Sequence, residues 1–214
     1  MRRLKVESLL AVLDADELVF EETFHLQVNK NMLDEKAKSL LAEVLEILGG
    51  TGDPAYLTSL KFDFKIEDYV FLYDTESHFN RYRLSTFKGE MYRLFNFPWT
   101  DAYRRLCRTF ERDCLKSGMQ ERIWEGSALA RRCFGEAGEG GDFSENGAPG
   151  WKLNAYNDAQ YDLVSRLAGY KIIRIPMYEN LMLSGSLKRI DQLLVRPGDE
   201  AQKAIVNWLK RKMQ

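Results

Sequence analysis

The stretch from Leu60 to Arg83, LKFDFKIEDYVFLYDTESHFNRYR, limits what this chain can fold into more than any other. In LKFDFKI, Leu60, Phe62, Phe64 and Ile66 alternate with Lys61, Asp63 and Lys65, the period of a strand with one buried face. Glu67-Asp68 then leads into VFLYD, a short run of β-forming residues suited to a strand covered on both faces. That run ends in Asp74-Thr75-Glu76-Ser77-His78. If the strand continues, Asp74, Glu76 and His78 emerge on one face, and a hairpin through residues 66–69 brings Asp63 beside Asp74. Carboxylates converging at a strand end repel one another unless a cation or a proton sits between them. The stretch therefore predicts a site, and the competing reading is a set of strand-end acids paired with neighbouring arginines.

Around this hairpin the pattern turns helical. Residues 3–13 predict a short helix with Leu4, Leu9, Val12 and Leu13 near one side, and LVFEETFHLQVN predicts a strand. Asp34 suits the N-cap of DEKAKSLLAEVLEIL, in which Ala37, Leu40, Leu41, Val44, Leu45 and Leu48 form an apolar stripe closed by Gly49-Gly50. Glu43 and Glu46 flank the stripe as a solvated face. NRYRLSTFKGEMYRLFNFP is dense in aromatic and basic residues, which suits either base stacking or a core helix with a basic edge. TDAYRRLCRTFERDCLKSG predicts a helix capped by Thr100 and stopped by Gly118, and QERIWEGSALARRCF a further helix. GEAGEGGDFSENGAPG has little to bury and predicts a mobile loop or lid. WKLNAYNDAQYDLVSRLAG predicts a helix, YKIIRIP a buried strand stopped by Pro176, and SGSLKRIDQLLV and PGDEAQKAIVNWLKRKM two closing helices. Together these elements predict an α/β/α sandwich on a central mixed sheet of about four to five strands with additional helices. The expected organisation is a single domain over residues 1–214, with a helical insertion at about 88–134 and the Gly-rich loop at about 135–150.

Charge and composition exclude some classes of function. Lysine plus arginine, 31 in all, nearly balance the 32 acidic residues, so net charge gives no support for nucleic-acid binding and leaves only a local basic groove open. No apolar run approaches the roughly 18–20 residues that span a bilayer, which argues against a membrane partner. The start, MRRLKVESLLAVLDADE, has a basic head, but its short apolar part carries acids and lacks a small-residue cleavage site, so it reads as a helix and not a signal peptide. Cys107, Cys114 and Cys133 lack metal-ligand spacing and read as free thiols of a cytoplasmic protein. With His25 and His78 the two histidines of the chain, a histidine-built zinc site is not expected.

The stretches FDFKI…VFLYDTESHFNRYR and NDAQYDLVSRLAGYKIIRIP resemble the restriction-endonuclease-like, or PD-(D/E)XK, superfamily, in the branch of the very-short-patch repair endonucleases. That branch pairs an Asp-Phe strand with a strand running into Asp-x-Glu-x-His-Phe, followed later by a helix, a Gly-aromatic pair and a strand with an Arg-apolar pattern. The resemblance implies a restriction-endonuclease-like fold and a metal-dependent nuclease acting on DNA in repair or defence, with Mg²⁺ or Mn²⁺ as cofactor. It places Asp63 as the first acid and Asp74 and Glu76 in the second element, Glu76 standing where the family name has lysine. A second departure is Leu72, where relatives often carry glutamate. This departure implies a rearranged metal site or a catalytically degenerate member of the fold that acts as a nucleic-acid or protein interaction module.

In the hydrolytic reading a metal ion polarises the scissile phosphate and activates a water. Asp63, Asp74 and Glu76 are then the metal ligands, with Glu76 holding a second ion or orienting the water. His78 would protonate the leaving group or contact phosphate, against the alternative of a histidine satisfied by structural hydrogen bonds. Arg81 and Arg83 would clamp phosphates, and Lys152 would replace the missing lysine in space or simply anchor a helix start.

Overall fold

A computed structural model describes residues 2–29, 31–121, 123–144 and 146–214, and all of their side chains except those of 118–121. Arg122, in the stretch expected to be helical, and Glu145, in the Gly-rich loop, lie outside the described residues. The elements in order are α1 (Arg2–Ala15), β1 (Glu21–Glu22), β2 (His25–Gln27), α2 (Glu35–Ile47), β3 (Ser59–Lys61), β4 (Phe64–Ile66), β5 (Tyr69–Asp74) and a 3₁₀ turn at Glu76–His78. Then follow α3 (Arg81–Thr86), α4 (Met91–Leu94), α5 (Thr100–Thr109), α6 (Glu111–Glu121), α7 (Ala128–Phe134) and α8 (Pro149–Leu167). The chain closes with β6 (Lys171–Pro176), β7 (Asn180–Leu183), β8 (Ser186–Arg189), α9 (Ile190–Leu193) and α10 (Asp199–Lys212). It is a mixed α/β protein with a four-stranded central sheet, divided into two compact units. Unit 1 holds Met1–Leu26, Lys61–Thr75 and Gly169–Gln214; unit 2 holds Gln27–Leu60 and Glu76–Ala168.

Unit 1 carries the sheet, in the order β1-β4-β5-β6. The expected hairpin forms: β4 and β5 are antiparallel, with Phe64 opposite Phe71 and Ile66 opposite Tyr69. Strand β6 pairs with β5 in parallel, from Tyr69 opposite Lys171 to Asp74 opposite Pro176. A parallel neighbour needs a long crossover, and here the chain between the two strands supplies the whole second part of unit 2. The Phe64 and Phe71 rings stack at 4.3 Å, and the cluster around them takes in Leu9, Val12 and Leu13 from α1 and Ile205, Val206 and Leu209 from α10. Each such side chain contributes about 1.5–3 kcal/mol when fully buried. Leu4, expected on that side, is 68 % exposed.

Two expectations for unit 1 are corrected. SGSLKRIDQLLV does not form one helix: its first half is β8, paired with β7, and only Ile190–Leu193 is helical. Ser184 and Gly185 both have positive φ, 47° and 78°, the backbone of a tight hairpin turn, and this turn decides the strand. The single strand expected in LVFEETFHLQVN is broken into β1 and β2 with Thr23, φ 52°, between them.

Unit 2 is helical and built on α8, which is buried on nearly all sides, at Trp151, Leu153, Tyr156, Ala159 and Leu163 among others. Helices α2, α3 and α7 pack against it. Asp34 caps α2 as expected, its carboxylate accepting from Ala37 N at 2.8 Å, and Gly49 follows the end with φ 75°. Glu43 is not simply solvated, because its carboxylate accepts from Glu90 N at 2.8 Å. The helix expected from Thr100 to Gly118 is two: Trp99 holds the cap position, the ladder breaks at Phe110, and α6 passes Gly118 to reach Glu121. The aromatic run forms core, since Phe87, Phe97 and Trp99 are buried and Trp99 meets Tyr103 at 5.0 Å. In the Gly-rich segment, Phe143 sits against Tyr82 at 5.6 Å and Trp124 at 5.4 Å, and Trp124 Nε1 donates to Gly138 O at 2.9 Å. Among the described residues no helix is long and apolar enough to cross a membrane, and the three cysteines are free and buried.

Candidate functional site

In unit 1 the strand acids are each met by an arginine. Asp74, 2 % exposed, accepts from Arg174 Nη1 at 2.7 Å, and the Arg174 side chain is fully buried. The register explains the pairing: Arg174 lies opposite Leu72 on β6, one pleat from Asp74, so both polar groups leave the sheet on the same side. Asp63 accepts from Tyr73 N at 2.7 Å and from Arg2 Nη2 at 2.6 Å, while Arg2 Nε donates to Tyr73 O at 3.0 Å. Burial is the largest influence on the Asp63 carboxyl and pushes its pKa up; Arg2 and the Tyr73 amide oppose this, and the charge of Asp74 adds a smaller upward push. Each of the two carboxylates thus meets a guanidinium, Arg2 at Asp63 and Arg174 at Asp74.

The rest of the predicted set belongs to unit 2. Strand β5 ends at Asp74, and Glu76 opens a 3₁₀ turn, so Glu76 and His78 do not continue the strand face as expected. The Asn80 side chain competes with strand geometry here, because it caps α3 with its Oδ1 accepting from Tyr82 N and Arg83 N, both at 3.0 Å. His78 Nδ1 lies 3.0 Å from Asp158 Oδ2. Arg83 is not a surface clamp for phosphate, being 1 % exposed. Its Nη2 donates to Asp162 Oδ2 at 2.6 Å, its Nη1 to Tyr92 Oη at 2.7 Å, and its Nε lies 3.8 Å from Asp158. Tyr92 Oη in turn donates to Asp162 Oδ2 at 2.6 Å, and the Phe87 ring covers the guanidinium at 4.5 Å. A guanidinium so placed is neutralised and stacked inside the fold, which removes it from the solvent.

Arg81 is half exposed and tied to Glu111, Nε to Oε1 at 2.8 Å, with its guanidinium 3.7 Å from the Phe143 ring centre. Lys152 sits in the first turn of α8 and is 6 % exposed, its ammonium near the rings of Tyr82 and Phe134 at 5.7 and 5.8 Å. Burial pushes its pKa down.

Several residues of these constellations escape a linear reading. Asp158 and Asp162 are one turn apart on α8, a spacing that by itself signals two carboxylates on one helix face. Arg174 is a lone cation inside the buried run KIIRIP, which calls for a buried anion beside it. The third group is a stripe. Arg105, Arg108, Arg112 and Lys116 are all exposed, and their spacing of three, four and four residues puts them on one side of α5 and α6, opposite the buried Tyr103, Cys107 and Cys114. None of the four has an ion-pair partner among the described residues.

A Mg²⁺ or Mn²⁺ ion requires a set of oxygen donors able to turn towards it. The acids of unit 1 are engaged by Arg2 and Arg174, and displacing a buried guanidinium from Asp74 leaves an uncompensated charge in the core. Among the described residues no group of three or more His, Cys, Asp or Glu side chains is arranged to hold a metal ion. The donor set does not fit the ion the resemblance implied.

These features define a mixed α/β protein with arginine-neutralised strand acids and an unopposed basic stripe. The model of a family of unknown function (DUF7255) matches residues 43–196, and the chain belongs to that family. The match takes in the hairpin, α8 and β6 but neither α1 nor α10. No curated protein and no solved structure matches the chain.

Proposed function

We propose that this chain is a nucleic-acid-binding module of restriction-endonuclease-like architecture that binds DNA without hydrolysing it. The observation that carries the reading is the stripe Arg105, Arg108, Arg112 and Lys116, exposed and without an ion-pair partner among the described residues, on a protein whose charges nearly balance overall. The stripe's cations recur every helical turn, against one phosphate per roughly 3.4 Å of axis on each DNA strand. Arginine in place of a cation at Asp63 and Asp74 favours binding over cleavage. The test is anisotropy of a labelled short duplex titrated with the full chain at several salt concentrations. Four phosphate contacts give a slope of log K against log salt of about −3 to −4. Arg108→Glu with Arg112→Glu reduces that slope by about two and weakens binding more than tenfold at low salt. Absence of duplex binding at about 50 mM salt sinks the proposal.

A second reading, phosphodiester hydrolysis with His78 as the acid–base group, is favoured by one observation, the His78 ring held 3.0 Å from the Asp158 carboxylate. A carboxylate in that position fixes the tautomer and the orientation of the ring, as an acid–base histidine requires. Divalent-cation-dependent cleavage of plasmid DNA that vanishes in His78→Gln and in Asp158→Asn, with folding retained, would move the function to this reading. Cleavage that persists in both variants, or its absence in the wild type, removes it.

A further inference from the structure

Unit 2 contains a cleft of about 330 Å³ lined by Val28, Asn29, Leu33, Lys38, Tyr56, Leu57 and Thr58, at the small end of the range of ligand sites. Its walls are held by backbone bonds: Val28 N donates to Thr58 O at 2.9 Å, and Leu57 N to the buried Gln160 Oε1 at 2.8 Å. Asn29 Oδ1 fixes the adjoining turn by accepting from Asn31 N and Met32 N, both at 3.1 Å. The cleft is therefore preformed. Its apolar side is Val28, Leu33 and Leu57; its polar side is Lys38 and the Tyr56 hydroxyl. That hydroxyl has no hydrogen-bond partner among the described residues, and behind it the fully buried Tyr156 hydroxyl has none either. Lys38 and Tyr56 are close enough for each to act on the other's charge: burial raises the Tyr56 pKa and the Lys38 ammonium counters it. Among the described residues the ion-pair partner of Lys38 is Glu35, at 2.8 Å, in a pair whose members are 44 % and 92 % exposed. So exposed a pair contributes little and yields to a better anion.

We propose that this cleft binds a small amphipathic carboxylic acid, its carboxylate held by Lys38 Nζ and the Tyr56 hydroxyl and its apolar body lying on Val28, Leu33 and Leu57. The charge on the rim selects an acid over a neutral molecule, and the enclosed volume selects a small one. The proposal is independent of the basic stripe and of nucleic-acid binding.

Calorimetric titration of the full chain with octanoate and with 1-octanol tests it. Octanoate binds at least about tenfold more tightly than the alcohol, the equivalent of one net charge-assisted contact. Lys38→Met removes that preference and leaves the weak alcohol binding in place. Glu35→Gln tightens octanoate by about two- to threefold, since it removes the competing carboxylate, a result that a purely structural Lys38 does not produce. Thr58→Trp, at an exposed wall position, fills the cleft and abolishes binding of both probes without unfolding the chain. Octanoate that fails to bind at millimolar concentration, or that binds no better than octanol and ignores Lys38→Met, overturns the proposal.

Discussion

In unit 1, Asp74 meets Arg174 inside the fold and Asp63 meets Arg2 at its edge, whereas in unit 2 Arg105, Arg108, Arg112 and Lys116 run along α5 and α6 with no ion-pair partner among the described residues. The first arrangement has consumed its charge. A buried pair gains Coulomb energy only to offset the loss of water around both ions, so it holds the sheet in one register and leaves little potential outside. The second arrangement keeps its charge in solvent, where it stabilises nothing in the fold and stays available to a polyanion. Unit 2 also contains the first kind of arrangement, at Arg83 with Asp162, Tyr92 and Asp158. Residue type alone therefore does not say whether an arginine serves the fold or a partner; burial and the opposing carboxylate do.

The comparison breaks most visibly at Asp162. Asp162→Ala takes from the buried guanidinium of Arg83 its carboxylate partner at 2.6 Å and removes the acceptor of Tyr92, which should cost about 3–5 kcal/mol in urea unfolding. Reversing the charge at Arg108 in the stripe, measured the same way, should stay within about 0.5 kcal/mol. Equal losses at the two positions would show that the stripe is structural after all.

A smaller effect separates pairing from packing in the sheet. Asp74→Leu alone takes from the buried Arg174 its carboxylate partner at 2.7 Å and destabilises the chain by about 3 kcal/mol, while Asp74→Leu combined with Arg174→Met restores stability to within about 1 kcal/mol of the parent or above it. Thermal and urea unfolding of the two variants decide the matter. A double variant as unstable as the single one would mean that the ion pair itself, and not the unpaired charge, governs this part of the fold.

The smallest expected effect is in pH. Burial alone would raise the Glu111 pKa, but the hydrogen bonds from the Arg81 side chain and amide outweigh it, and the net direction is down. A carboxylate depressed in the folded state adds stability above its unfolded pKa and loses it as pH falls through the folded one. Wild type should therefore exceed Glu111→Gln slightly at about pH 6, with the difference fading as pH is lowered below the ordinary carboxylate range near 4. Asp63 has the opposite sign: its raised pKa gives stability that is complete below the ordinary aspartate range and is lost as pH rises through the folded value. Urea titrations of Glu111→Gln and Asp63→Asn across this range should diverge in opposite directions.

Local pattern made several elements legible in advance. The hairpin of Phe64 with Phe71, the Asp34 cap of α2 and the apolar run of β6 each act over a few residues and form where they were expected. The strand expected over LKFDFKI, in contrast, is interrupted at Phe62 and Asp63 and becomes β3 and β4. The failures fall where two local preferences were close. In SGSLKRIDQLLV an apolar spacing compatible with a helix lost to a hairpin turn at Ser184-Gly185 and a partner strand nine residues upstream at most. The candidate site was legible in its carboxylates and not in their partners. Arg2 lies 61 residues from Asp63, and Arg174 lies 100 from Asp74, so no window along the chain contains either pair.

The amino-acid sequence by itself determined the hairpin, the capped helices and the position of each charge along its element, because propensity, capping and periodicity are settled by near neighbours. Only the tertiary structure decided which charges cancel. That outcome depends on which strand lies parallel to which and on what burial does to an ion, and both are properties of chain segments brought together from far apart.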